Sequence, residues 1–214
     1  MTLQFTVEPP SASSSTPAPV RRGSWVPIRS LGPRHRDRIL RHLLALDEHD
    51  RYLRFGYAAG NEQIAHYVRS LDFERDEVFG IFNRKLELIG VAHLACGDGA
   101  GRDARERVAE FGVSVLGRAR GRGLGARLFD CAVLHARNRG IGTLLIHALS
   151  ENTAMLRLVG RAGAKVSRLG SESEATLQLP PDSLASHVDA LVGDRAAEID
   201  YLFKRQTHRM VPAH

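Results

Sequence analysis

Lysine is scarce in this 214-residue chain: only Lys85, Lys165 and Lys204 occur, so nearly all the positive charge is arginine. The arginines are dispersed, without a basic block or interleaved aromatic residues, and aromatics make up only 6% of the chain. A nucleic-acid platform needs both, so the net charge of +6 reads as a solvated basic surface that favours anionic ligands. Cysteine is nearly absent as well. Cys96 and Cys131 each lie in an apolar segment, which argues for buried reduced thiols, for a reducing compartment, and for Cys131 as core rather than an acyl-carrying nucleophile. His93 and Cys96 are close in sequence but lack further ligands at a recognised spacing, so no metal site is expected. No apolar run approaches the roughly 18–20 residues of a membrane span. Met1–Ser24 also lacks the basic start and continuous apolar core of a secretory leader, so a cytoplasmic protein without membrane contact is expected.

What is present divides into three parts. Residues 1–24, rich in Pro, Ser and Thr, cannot bury enough apolar area to offset ordering entropy and read as a flexible tail. Residues 25–180 carry the periodic pattern of one domain. Trp25–Arg29 reads as a first strand, Arg34–Asp47 as an amphipathic helix, and Asn61 as the cap of a helix with the stripe Ile64, Tyr67, Val68, Leu71. Between those helices, Asp50–Gly56 reads as a loop, either pinning the two helices or walling an acceptor pocket. Val78–Phe82 and Leu86–Leu94 suggest a hairpin, Gly97–Arg105 a loop, and Arg107–Leu116 and Ile141–Leu149 strands. Asn152–Arg161 reads as a short helix, and Lys165–Leu169 with Ala175–Leu179 as a last strand pair. After Pro180-Pro181, residues 181–214 suggest a helical extension that packs on the core or mediates a homodimer.

The most informative stretch is Glu110–Ala126, which reads as a buried strand, a glycine-rich turn and the opening of a helix. Gly117, Gly121, Gly123 and Gly125 allow a sharp turn and close approach to a ligand, and the helix beginning near Leu124 aims unpaired N–H groups at whatever the turn encloses. That is a cradle for phosphate. No Gly-Lys-Ser/Thr follows Gly121, Gly123 or Gly125, which argues against a mononucleotide P-loop. Gly121-x-Gly123-x-x-Ala126 fits a dinucleotide fingerprint only superficially: it lies mid-chain after a hairpin, and the nearest suitable acid, Glu151, is too far along.

Arg120-x-x-Gly123-x-Gly125 is the third option, and with it the sequence resembles the GNAT superfamily of acetyl-CoA-dependent N-acetyltransferases. Ala109-Glu110 opening the preceding strand, Ala136–Ile141 at the helix end, Glu151-Asn152-x-x-Met155 and Gly163 carry the likeness further, over about Val26–Leu179. Glu110, ten residues before Arg120, and Asp50-Arg51-Tyr52-Leu53-Arg54-Phe55 make the bacterial Pat-type protein lysine acetyltransferase domain the nearest resemblance. The resemblance implies an α/β (α+β) fold with a central, mixed, mostly antiparallel sheet of about six or seven strands flanked by helices. A splayed parallel strand pair in it would hold acetyl-CoA.

It also implies roles for residues. Backbone N–H groups of Gly121, Arg122, Gly123, Leu124, Gly125 and Ala126 would hold the pyrophosphate, with Arg120 and Arg122 adding charge. The main chain of Val113, Ser114 and Val115 would pair with the pantetheine arm, and Asn152 would contact that arm, cap the following helix, or do both. Glu110 would be the base that frees an amine for attack, shielded from water by neighbours such as Phe111. Two positions depart from the wider family: Val159 stands where many members carry a tyrosine acid, and Ala164 where a phenylalanine commonly follows the glycine. The function implied is acetyl transfer from acetyl-CoA to a primary amine, a protein lysine among the candidates. A fold that binds acyl-CoA without turnover, as a sensor or interaction module, is the alternative.

Overall fold

The computed structural model describes residues 26–97 and 107–180 together with Ala197 and Asp200. The expected N-terminal tail, nearly all of the 97–105 loop and all of the C-terminal extension but Ala197 and Asp200 therefore lie outside the described residues. Among those described, seven strands form one sheet in the order β1-β2-β3-β4-β5-β7-β6. They are β1 (Arg29–Leu31), β2 (Glu77–Phe82), β3 (Leu88–Cys96), β4 (Val108–Val115), β5 (Thr143–Leu149), β6 (Lys165–Leu169) and β7 (Glu172–Gln178). Five α-helices accompany them: α1 (Arg36–Leu44), α2 (Glu48–Phe55), α3 (Asn61–Ser70), α4 (Leu124–Asn138) and α5 (Thr153–Arg161). Every strand pairing is antiparallel except β4 with β5. The expected mixed, mostly antiparallel sheet with one parallel pair is what forms.

Strand alternation sorts the helices onto two faces. Phe111 of β4 meets Phe129 of α4 edge to face, ring centroids 5.1 Å apart, so α4 covers that face. The next residue, Gly112, lies under the Arg54 side chain of α2, and Ser114 bonds His42 of α1, so α1 and α2 cover the other. The core between sheet and helices is apolar, with Ile39, Leu43, Ile64, Phe79, Leu94, Phe111, Leu128, Leu144 and Ile146 almost fully buried.

Three local expectations change. The first strand begins at Arg29, the last residue of the segment expected to form it, and pairs Arg29 with Gly80 and Leu31 with Val78. Pro27, with no N–H for the ladder, lies ahead of it. Asp50–Phe55 is helix rather than loop, because the Asp47 side chain accepts from the Asp50 N–H at its start and Gly56, at φ 81°, ends it. Asn61 does not cap α3: Gly60 holds that place, and the Asn61 Oδ1 accepts instead from Arg51 at 2.9 Å.

Parallel pairing of β4 with β5 covers only Val108–Glu110 against Thr143–Leu145. Beyond it, β4 keeps its β3 partner as far as Val115 and β5 keeps β7 as far as Leu149. The two strands part after Glu110. Alternate backbone groups of β4 from Phe111 onward then face an open fork instead of a neighbouring strand.

Candidate active site

At the end of β4 the chain passes through a short 3-10 turn, Gly117–Ala119, and enters α4 through two glycines in the left-handed region, Gly121 at φ 74° and Gly123 at φ 71°. An L side chain at either would be strained. Gly123 is the residue before the helix and offers no side-chain cap, and no acidic residue occupies the first turn. Arg127 makes the first intrahelical bond, to the Gly123 carbonyl at 3.2 Å. The N–H groups of Leu124, Gly125 and Ala126 are therefore left for a ligand, at the positive end of the helix dipole.

These groups border a cavity of about 460 Å³ that reaches back to Val113, Ser114 and Val115 on β4 and to Asn152 before α5. Of the residues expected to hold a cofactor, all but Arg122 line it; Arg122 is exposed on the turn. Arg120 lines it with its charge already engaged: its guanidinium pairs with the buried Asp50 carboxylate, and its Nε donates to the Val115 carbonyl at 3.2 Å. Arg120 thus ties α2 to the cradle, which leaves anion binding chiefly to backbone N–H groups. Asn152 caps α5, accepting from the Met155 N–H at 3.1 Å, and its amide reaches the Leu53 carbonyl of α2 at 3.4 Å. Ser114 turns its hydroxyl away from the fork onto His42 Nε2, 2.9 Å away, while His42 Nδ1 lies 2.9 Å from the Leu88 carbonyl.

A second cavity, about 610 Å³, fills the fork itself. Glu110, Gly112 and Val113 of β4, His147 and Leu149 of β5, and Glu172 and Glu174 of β7 border it, with Arg54 and Tyr67 on the helical side. Glu110 is exposed to this space. Phe111 does not shield it, because strand alternation sends that ring to the α4 face. The two cavities meet at Leu53, Arg54, Val113 and Met155, which line both.

Behind that junction runs a chain of polar side chains that sequence reading did not assemble. Arg54 donates to the Tyr67 hydroxyl at 2.9 Å, that hydroxyl lies 2.8 Å from His93 Nδ1, and His93 Nε2 lies 3.1 Å from Asp76 Oδ2. One set of roles satisfies every member: Arg54 donates to Tyr67, Tyr67 to His93, and His93 to the Asp76 carboxylate. The titration directions agree with it. Burial raises Tyr67 above its ordinary value, against the opposing Arg54 charge and hydrogen bond, so the phenol keeps its proton. Burial, with Arg54 nearby, lowers His93 despite its bond to Asp76, so the imidazole stays neutral. Burial alone would raise Asp76, but bonds from Arg75, His93 and the Cys96 N–H hold it below the usual carboxylate range.

The signals for this chain were dispersed. In the sequence Tyr67 belongs to the apolar stripe of α3, His93 stands beside Cys96 with the look of a lone metal ligand, and Arg54 lies in a short segment without a helical stripe of its own. The Asp47 cap and Gly56 stop would have revealed α2, and helical spacing then places Asp50, Leu53 and Arg54 on one face. Val159 is fully buried in α5, so nothing acidic reaches the fork from the position where many GNAT enzymes carry tyrosine.

No curated protein matches the sequence. Among solved structures, the GNAT domain of S. lividans PAT superposes with a TM-score of 0.58 at 20% identity, covering 71% of this chain and 89% of that one. The acetyltransferase yncA from Salmonella typhimurium, solved with acetyl-CoA, gives 0.54 at 18% identity, covering 75% and 97%. A cAMP-binding acyltransferase from Mycobacterium smegmatis gives 0.52 at 21% identity, over 85% of this chain and 53% of that longer one. These likenesses share the fold, and the family follows from sequence: residues 40–164, more than half of the chain, match the acetyltransferase (GNAT) family, to which the chain belongs as an acyltransferase.

Proposed function

We propose that this protein transfers the acetyl group of acetyl-CoA directly to a primary amine, with Glu110 as the base. The observation that carries the reading is the fork: a phosphate-sized cradle of free N–H groups lies at one end of β4, and an exposed carboxylate stands where β4 and β5 part. The residues fit the cosubstrate. Backbone donors at the start of α4 suit a pyrophosphate, and the unpaired β4 edge at Val113–Val115 suits the amide-bearing pantetheine arm, which can add to it as a strand does.

An amine such as a lysine side chain is almost wholly protonated at pH 7 and must lose a proton before it can attack. Glu110 lies in the cavity that such an acceptor would enter, and Glu172 and Glu174 stand at the same cavity, so the acceptor side of an overall basic protein is lined with carboxylates. That favours a cationic acceptor. Together with the Pat-type resemblance it points to a lysine side chain on a protein. The ammonium gives its first proton through Glu110 to water; attack of the neutral amine on the thioester carbonyl then passes a second proton to Glu110 and the carbon–sulfur bonding pair to sulfur.

The test is thiol release from acetyl-CoA across a panel of amines, polyamines and lysine-bearing proteins, with Glu110→Gln alongside. The variant is expected to lose at least about tenfold in kcat with its best acceptor while acetyl-CoA affinity persists. Undiminished turnover would remove Glu110 from the mechanism. Acetyl-CoA binding by the wild type with no transfer to any acceptor would return the chain to the binding-only alternative.

A further inference from the structure

We propose that Arg54 is a catalytic residue, one that meets the negative charge appearing on the sulfur of coenzyme A as the thioester breaks. The inference rests on the acetyl-transfer reading and begins from the junction of the two cavities. A thioester held by the cradle and attacked from the fork must lie where the cavities join. The four residues common to both are Leu53, Val113, Met155 and Arg54, and only the last carries a polar side chain. In so apolar a neck a developing charge is poorly screened, and a fixed guanidinium is worth far more there than in water.

Arg54 is built to stay at that place. Its Nη2 donates to the Tyr67 hydroxyl, which the chain through His93 to Asp76 holds in turn, and its Cζ lies 5.2 Å from the centre of the Phe55 ring and 5.6 Å from that of Tyr67. Beneath it β4 has no side chain. A Cβ at Gly112 would fall 2.6 Å from Cζ, so the glycine is what lets the guanidinium lie against the strand. Among the described residues no carboxylate is within ion-pair distance of Arg54, unlike Arg120, which is neutralised by Asp50. The cation is therefore positioned by neutral groups and directed at the junction.

The step balances without an external reactant. With the ammonium's first proton already passed through Glu110 to water, the neutral nitrogen bonds to the acetyl carbon, its second proton goes to Glu110, the carbon–sulfur bond breaks, and its electron pair stays on sulfur as a thiolate beside Arg54. A proton from Glu110 or water then gives the free thiol. This supplies by charge what a tyrosine at position 159 would supply by proton donation, and Tyr67, His93 and Asp76 act as positioning residues for Arg54.

Coenzyme A itself reads the effect without turnover. In its complex with the wild-type protein, the thiol should titrate below that of free coenzyme A measured alongside, followed by thiolate absorbance in the ultraviolet. Arg54→Gln should move that titration up by about one pH unit and lower kcat at least about tenfold, with Arg54→Lys in between. Gly112→Ala supplies the second variant. Gly112 has no positive φ, and the atom its Cβ would meet ends a flexible chain that can swing aside, so the fold survives with every charge retained but the guanidinium displaced. It should reproduce most of the Arg54→Gln effect. A bound thiol titrating alike in wild type and both variants, or an Arg54→Gln defect confined to the KM of the acceptor, would overturn the proposal and make Arg54 an acceptor-binding group. If the wild type transfers acetyl to nothing, the acetyl-transfer reading fails, yet the thiol titration still reports on Arg54.

Discussion

His42 is the most deeply buried titratable group in contact with the candidate site, held between the Leu88 carbonyl and the Ser114 hydroxyl at 2% exposure. Burial lowers its pKa to about 4, with the Arg54 charge adding to the effect and the bond at Leu88 opposing it. An unfolded chain takes up this proton below about pH 6.5, whereas the folded protein refuses it until about pH 4. Folding stability is therefore lost as the pH falls through that window, by about 3 kcal/mol when complete. Urea unfolding at pH 7 and pH 5 should show the wild type losing about 2 kcal/mol more than His42→Gln over the same interval. Equal losses would mean that His42 titrates alike folded and unfolded. Nothing in the sequence near His42 announces this role, because its partner Ser114 is 72 residues away and is brought to it only by the sheet. Glu110, proposed above as the base, stood out for the opposite reason: the resemblance that singles it out rests on a fixed local spacing to Arg120. The shield expected from Phe111 failed on an equally local rule, that neighbours on a strand face opposite ways.

At the scale of elements, the cradle was legible because its physics is confined to a few consecutive residues: a strand end, left-handed glycines and a helix start. Two of its glycines respond oppositely to the same change. Gly123→Ala places an L residue at φ 71°, at a cost of about 1–2 kcal/mol although nothing crowds the new Cβ, and it disturbs the turn that aims the N–H groups. Gly125→Ala lies inside the helix at ordinary φ with open space around its Cβ, so it should stabilise the fold by up to about 1 kcal/mol. Chemical denaturation checks the opposite signs, and acetyl-CoA titration should show the weaker binding in Gly123→Ala. A destabilised Gly125→Ala would mean that the first turn of α4 needs more than free N–H groups. Helix α2 escaped sequence reading because it is only eight residues long and its apolar stripe is interrupted by Asp50 and Arg54. Those interruptions are its contribution to the site: Asp50 holds Arg120, and Arg54 reaches the junction.

At the scale of the whole molecule, the candidate site is a consequence of topology. A single parallel pairing in an otherwise antiparallel sheet stops after three residues on each strand, and both cavities open along the divergence that follows. Composition and periodicity indicated the number and kind of elements, but a pairing that ends early is a non-local property that the resemblance implied and no segment alone displayed. The walls of the cavity at the cradle come from separate parts of the chain: β4 and the cradle, α2 through the Asp50–Arg120 pair, and α5 through Asn152 reaching Leu53. A ligand bridging them should stabilise the native state as one unit. At a hundredfold excess over its Kd, acetyl-CoA is expected to add about 2.7 kcal/mol, which for a chain of this size raises Tm by about 5–10 °C. Glu110→Gln, which alters the fork and leaves the cradle intact, should show the same rise, whereas Gly123→Ala should show a smaller one at equal ligand concentration. Thermal unfolding of the three proteins with and without acetyl-CoA decides it. A rise lost in Glu110→Gln but kept in Gly123→Ala would move the binding energy from the start of α4 to the fork, and with it the direction in which the cosubstrate lies along β4.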